Sequence, residues 1–315
     1  MPVTLKPVDR VEITTLLDNT VDALLPSTDT VKRYVLRRDF FESETLIAEH
    51  GFSAAVSVTC SNTTDSFLFD AGLSRTGLVH NLDVLEIKPG DFHAIVVSHG
   101  HADHTNGLMG LVRRMGQRRI PLVLHPDAFL QRKVAFPDGR EINLPPPDRK
   151  ALAQEGVEFI EERAASCILS NLVLVTGQIA RSTEFEKGLP FHFALQNSQW
   201  QPDALVHDDQ AVVFHLQGKG LIILTGCGHA GVINTIRHAQ LQTGVQEIHA
   251  VVGGFHLSGL AFEPIIPPTI AALKAMGCKV LIPSHCTGWK AMHAIAREMP
   301  GAFVQNSVGT RFIFA

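Results

Sequence analysis

Ser98-His99-Gly100-His101-Ala102-Asp103-His104 is the stretch that decides how this chain is read. Three imidazoles and a carboxylate fall within six residues of one another. Ala94-Ile95-Val96-Val97 precedes them as a short apolar strand, and Thr105-Asn106-Gly107-Leu108 follows as a turn into a helix. A solvated His-rich loop is the plain alternative, but it does not explain why ligand-type side chains gather where a buried strand ends. Neutral imidazole and carboxylate are the usual ligands of zinc and related divalent ions. On an extended backbone, residues two apart point to the same side, so His99 and His101 face together. Asp103 and His104 come where the chain turns and can reach a second ion.

The pattern His-x-His-x-Asp-His resembles the metallo-β-lactamase superfamily, and the resemblance continues along the chain. In that family an aspartate ends an earlier strand, and Ser66-Phe67-Leu68-Phe69-Asp70-Ala71-Gly72 supplies it here. Leu221-Ile222-Ile223-Leu224-Thr225-Gly226-Cys227-Gly228-His229 and Val280-Leu281-Ile282-Pro283-Ser284-His285 stand where the family carries its later ligands. A narrower resemblance rests on residues 176–186, on Gly226-Cys227-Gly228-His229, on Gly253-Gly254-Phe255-His256-Leu257 and on Ser284-His285-Cys286-Thr287-Gly288. These are similar to the branch described as ribofuranosylaminobenzene-phosphate (dihydropterin) synthase-like. The resemblance implies an α/β fold, an αβ/βα sandwich of two mixed sheets with outer helices.

The rest of the chain agrees with that architecture. Strands are expected at 11–19, 51–59, 66–70, 94–98 and 121–125, with helices at 78–85 and 108–115. A strand pair at 211–215 and 221–224 turns at Gly218-Lys219-Gly220. A helix at 232–241, a strand at 248–252, a helix at 269–276 and a last buried strand at 280–282 follow. Residues of about 127–205 read differently: Pro145-Pro146-Pro147 interrupts them, and short apolar pieces alternate with polar ones. We therefore expect a single domain, 1–315, with an insertion there. That insertion either shapes a substrate pocket or forms an elaboration or dimer surface, which leaves a homodimer open.

The 315 residues are 45% hydrophobic, enough for a large core. A net charge of -4 gives no global reason to bind nucleic acid or an anionic membrane. Arg113, Arg114, Arg118 and Arg119 read as the solvated end of a helix. The five cysteines are odd in number and contain no Cys-x-x-Cys, which argues against a disulfide framework and for a reducing compartment. With no secretory pattern in residues 1–30 and no apolar run of transmembrane length, a cytoplasmic protein is expected.

For the site, the resemblance implies two divalent ions, zinc first, with Mn2+ or Fe2+ as alternatives. His99, His101 and a later histidine would hold one; Asp103, His104 and His285 the other. The later histidine departs from the commonest family pattern. His229 is the favoured candidate, with His207 and Asp209 in reserve. Cys227 takes the bridging position, either as a thiolate ligand or as an uncoordinated turn residue. Asp70 is expected to orient the metal loop rather than bind metal. His256 would touch substrate or fix its loop. Arg181 would pair with a substrate carboxylate or phosphate, or with Glu184 or Glu186. His50, His80, His93, His125, His192, His215, His238, His249 and His293 lack any accompanying pattern and read as structural.

Two ions sharing a water lower its pKa into the neutral range. Hydrolysis of a small-molecule ester, thioester, lactone, amide or phosphoester is therefore the leading expectation. The alternatives are iron-dependent dioxygenation, condensation on a phosphoribosyl substrate as the branch implies, and ligand sensing without catalysis.

Overall fold

The computed structural model describes residues 3–35, 42–116 and 118–315. Two large mixed sheets lie face to face. The first runs Val157–Glu161, Ile120–Leu124, Ala94–Val96, Thr63–Phe69, Ser53–Cys60, Arg10–Leu17, Arg311–Phe314 and Val31–Lys32. Its first four strands are parallel and the others antiparallel. The second runs Ser166–Ile168, Val173–Val175, Ala211–Leu216, Gly220–Thr225, Ile248–Gly254 and Val280–Ser284, with Pro7–Val8 beside Ala211–Leu216. Its last three strands are parallel.

Burial follows position in these layers. In Arg10–Leu17, Val11 and Ile13 are buried while Glu12 and Thr14 are partly exposed, the alternation of a strand with one wet face. Ala94–Val96 and Gly220–Thr225 are buried throughout, because helices cover their outer faces. Between the sheets, Val56, Phe67, Phe69, Phe214, Ile222 and Val252 form the central core, where the Phe67 and Phe214 rings stack at 6.3 Å. Helices Gly77–Val84 and Leu108–Met115 pack Leu78, Leu82 and Leu111 over Ile95 and Leu122. On the opposite side, Val232–Thr243, Ile266–Ala275 and Trp289–Glu298 pack Ile236, Leu273 and Ile295 over Ile223, Val251 and Leu281. The result is the expected αβ/βα sandwich.

Residues 127–205 contribute to all three sheets found among the described residues. Three of their strands join the two large sheets. Four others, Gln199–Pro202, His192–Gln196, Arg132–Ala135 and Glu141–Leu144, form a small antiparallel sheet. Arg132 ties that sheet to the sandwich although its side chain is only 1% exposed. Its Nε donates to Asp203 Oδ2 at 2.8 Å and its Nη2 to Asp208 Oδ1 at 2.5 Å. Burial alone would weaken the charged form, but Asp208 and Asp203 more than restore it. Asp208 Oδ2 in turn accepts the Gly100 N–H at 2.8 Å, inside the His-rich loop.

All five cysteines are free, and among the described residues no helix is long and apolar enough to cross a membrane. Arg113 and Arg114, exposed at a helix end, pair with Glu155 and Asp83.

The Arg132 cluster generates a stability prediction. Asp208→Ala leaves a buried guanidinium without one of its two carboxylates, which costs about 3–5 kcal/mol. The denaturant midpoint should fall with little change in slope. An unchanged midpoint would show that the cluster contributes nothing.

Candidate metal centre

The metal-type side chains converge where strands of both large sheets end. His99 and His101 leave the strand Ala94–Val96, and His229 follows Gly220–Thr225 on the facing sheet. His99 Nε2, His101 Nδ1 and His229 Nε2 form a triangle with sides of 2.9, 3.1 and 3.2 Å. A tetrahedral zinc with bonds of about 2.0–2.1 Å spaces its ligands by about 3.3 Å, so the triangle has the dimensions of one face of such a site. Burial above all holds these three rings well below the ordinary histidine pKa; neighbouring charges add to it at His99 and His229, while Asp103 opposes it at His101. They are therefore neutral at neutral pH, the form that binds metal.

A second group abuts the first. Donor atoms of Asp103, His104, Cys227 and His285 all lie within 4.8 Å of one another. His104 Nε2 is 3.2 Å from Cys227 Sγ, and His285 Nε2 is 3.2 Å from Asp103 Oδ2. Burial would raise the Asp103 pKa, but His104 and His285 outweigh it and hold the carboxylate ionised. Burial likewise opposes charge on His104, yet Asp103 and Asp70 push its pKa up to about 9. Buried His285 leaves Nδ1 without a partner, and its Nε2 faces Asp103 Oδ2 without hydrogen-bond geometry. A cation accepting a lone pair there would satisfy an otherwise orphaned group, so these residues fit a divalent ion. Cys227 Sγ also belongs to a group with His99 and His229, so it is common to both sets. Burial pushes its thiol well above the ordinary value, a cost that a bound cation reverses.

Other side chains fix the rings. The Asp70 carboxylate accepts the Ser98 N–H, the Ser98 Oγ–H and the His104 Nδ1–H, each at 2.7 Å. His104 thus presents Nε2 to the site, where a bound cation would take the place of the second proton that the raised pKa keeps on the ring. With its proton given to Asp70, Ser98 Oγ accepts from His99 Nδ1 at 3.0 Å, which frees His99 Nε2 as well. A Cβ at Gly226 would collide with Ser98 Oγ and Asp70 Oδ2, so glycine is required at that strand end. Asp70, His256 and His285 all have positive φ, a strained backbone of the kind concentrated at functional sites.

The remaining candidates fall into different places. Asp209 is in no ligand group; its Oδ2 accepts the Ala230 N–H at 2.7 Å and so braces the turn that carries His229. Burial, its main influence, raises its pKa to about 7. His207 is exposed and pairs with Gln178 Nε2 at 2.9 Å, away from the cluster. His256 stacks tilted on His229 at 4.4 Å, with its Nδ1 buried and unpartnered. It also lines a cavity of about 530 Å³ walled by Phe185, Leu189, Phe255 and Phe262. Arg181 does not line that cavity. It donates to the Leu205 carbonyl oxygen, and among the described residues it forms no ion pair with Glu184 or Glu186. Glu186 instead caps the helix Val232–Thr243, accepting the Ile233 and Asn234 N–H groups at 2.9 and 2.8 Å.

Three contributors lie outside the sequence expectation. His192 Nε2 is 3.0 Å from His101 Nε2. Asp18 Oδ1 accepts the His285 N–H at 2.8 Å. Cys286 forms a further group with Cys227 and His256, and its Sγ donates to the Cys227 carbonyl oxygen at 3.1 Å.

Comparison with known proteins agrees with the geometry. The metallo-beta-lactamase superfamily model matches residues 50–167. The chain is 30% identical over 295 residues to the 7,8-dihydropterin-6-methyl-4-(beta-D-ribofuranosyl)-aminobenzene-5'-phosphate synthase of Methanocaldococcus jannaschii, a match covering 89% of this chain and 96% of the synthase. A solved metal-dependent hydrolase of the beta-lactamase superfamily is similar with a TM-score of 0.71 and 24% identity, over 96% of this chain and 98% of that one. The metallo-beta-lactamase fold protein YhfI of Bacillus subtilis is similar with a TM-score of 0.51 and 10% identity, over 97% and 99% of the two chains. These two structural likenesses speak for the fold.

The placement of His229 and His207 gives a direct test. Protein reconstituted with zinc and desalted should hold about two ions per chain by elemental analysis, and His229→Ala about one. His207→Ala should match the unmodified protein. Equal zinc contents in His229→Ala and the unmodified protein would remove His229 from the ligand set.

Proposed function

The chain belongs to the metallo-β-lactamase superfamily, in the branch that holds the methanogen synthase, and from that premise we propose that it is a two-metal hydrolase acting on an ester, thioester, lactone or phosphoester of a small molecule. The observation that carries this reading is Cys227 Sγ, common to both donor groups and setting them side by side. His99, His101 and His229 would hold one ion and Asp103, His104 and His285 the other, with Cys227 between them. Zinc suits this mixture of nitrogen, oxygen and sulfur, with manganese or iron as alternatives. When bound, such a pair supplies Lewis-acid polarisation and acidifies water.

The chain's own groups then orient the reaction. Asp103 stays ionised, and one of its oxygens is directed at His285 Nε2. The other can accept a hydrogen bond from an attacking water and so fix the direction of attack. His256 stands at the wall of the cavity, where its ring could contact a polar atom of the substrate. Phe185, Leu189, Phe255 and Phe262 line the space left for an apolar portion and limit water there. No serine or cysteine nucleophile is needed.

A second reading has its own support. The 30% identity to the synthase extends over 89% of the chain, which favours condensation on a phosphoribosyl substrate with its phosphate held at the same ligands. A panel of activated esters, thioesters, lactones and phosphodiesters, assayed with the zinc-reconstituted protein, separates the two. Metal-dependent turnover of a panel member supports hydrolysis. Product formation only from a phosphoribosyl-aminobenzene together with a dihydropterin supports condensation instead.

Asp103→Asn keeps the shape of the side chain and removes its charge. With the hydrolytic substrate found, kcat should fall by about 100-fold or more while KM changes little. Full turnover by a metal-replete Asp103→Asn protein would end the assigned role.

A further inference from the structure

We infer that His192, on the small sheet, determines which nitrogen of His101 faces the metal site, and that it is a positioning residue for that ligand. The inference rests on the reading of His99, His101 and His229 as the ligands of one ion. His101 points Nδ1 at His99 Nε2 and His229 Nε2, so that nitrogen must keep its lone pair. A neutral imidazole carries one proton, which then sits on His101 Nε2. The partner of that N–H is His192 Nε2 at 3.0 Å, which must accept.

The direction of this bond is imposed from its far end. With Nε2 accepting, His192 carries its own proton on Nδ1. That nitrogen faces the Asp203 backbone carbonyl oxygen at 3.2 Å, a group that can only accept. The carbonyl therefore fixes the His192 tautomer, and His192 fixes that of His101. Ser98 and Asp70 do the same for His99 and His104, while His229 and His285 leave Nδ1 unpartnered; the outer nitrogen of His101 is served from the small sheet.

The same contacts return to the metal loop. Asp203 Oδ2 accepts from Arg132 Nε, Arg132 Nη2 donates to Asp208, and Asp208 accepts the N–H of Gly100. Gly100 lies between the two histidines of the loop. His192 and Arg132 come from paired strands, with Ala194 opposite Arg132 and His192 opposite Val134. The small sheet thus grips the loop at a side chain and at the backbone.

Two substitutions separate positioning from packing. The glutamine of His192→Gln can accept the His101 N–H through its oxygen and donate to the Asp203 carbonyl. His192→Leu fills the space and accepts nothing. Zinc competition against a chromogenic chelator should show affinity at one site lowered about 10–100-fold in His192→Leu, with the other site unchanged and His192→Gln within a few-fold of the unmodified protein. Long-range proton–nitrogen NMR of the metal-free protein should place the His101 proton on Nε2, and this preference should weaken in His192→Leu. A proton on His101 Nδ1, unchanged zinc affinity in His192→Leu, or equal losses in the two variants would overturn the inference. Failure of the unmodified protein to bind zinc at all would instead overturn the two-metal reading, while the NMR measurement would still decide the role of His192.

Discussion

The Asp70 carboxylate is the constraint on which the rest of the site depends. It is fully buried, ends the strand Thr63–Phe69 in a positive-φ conformation, and accepts three hydrogen bonds. Two come from Ser98 and hold the end of the neighbouring parallel strand; the third sets the ring of His104. A carboxylate removed from water needs such donors, since burying its oxygens unpaired is costly. Because Ser98 spends its hydroxyl proton on Asp70, it can only accept from His99, so one carboxylate sets two histidine tautomers. Gly226, from the opposite sheet, packs against the same atoms and carries the chain to Cys227 and His229. The two sheets are thus brought into register at the place where their ligands must meet.

Legibility in the sequence divides along the same lines. Features set by local spacing could be read directly. His99 and His101 share a side because they lie two apart on an extended segment, and parallel strands such as Gly220–Thr225 announce burial by continuous apolar character. The turn at His229 was legible because glycine flanks Cys227 on both sides. Gly228 does adopt positive φ, and a Cβ there would meet the Gly254 carbonyl. His192 could not be read this way. It sits 91 residues from His101, on a strand whose sequence His-Phe-Ala-Leu-Gln alternates weakly, and nothing near it resembles a ligand motif. Asp18, 267 residues from His285, was hidden for the same reason. Long-range contacts of single polar residues leave no period in a sequence.

The two donor groups differ in electrostatic character. Three neutral imidazoles leave the charge of a divalent cation largely uncompensated. The second group contains the ionised Asp103, and the shared thiol of Cys227 would add negative charge on losing its proton to a metal. Because Cys227 is common to both groups, what distinguishes them is the Asp103 carboxylate, which only the second contains. The cavity touches the first group through His229 and lies next to His256. The cavity thus opens on the imidazole side of the cluster, at His229 and His256.

This asymmetry gives the small sheet a physical reason to exist. Imidazole ligands, unlike carboxylates, present one of two nitrogens, and the wrong one moves the lone pair by the width of a ring. In His99, His101 and His104 the nitrogen turned away from the site is held by another group, whereas His229 and His285 leave Nδ1 unpartnered. Ser98 and Asp70 belong to the sandwich and could serve only the rings beside them. His101 points away from that layer, so its outer nitrogen would be buried without a partner if the chain returned directly from Leu124 to the second sheet. Strands Arg132–Ala135 and His192–Gln196 fill that gap. They bring one acceptor for the ring and one buried arginine whose two carboxylates anchor it between the sheets. A buried ion pair is a poor source of stability compared with well-packed apolar side chains. Its retention beside a ligand loop is better explained by the direction it imposes on hydrogen bonds than by the energy it adds.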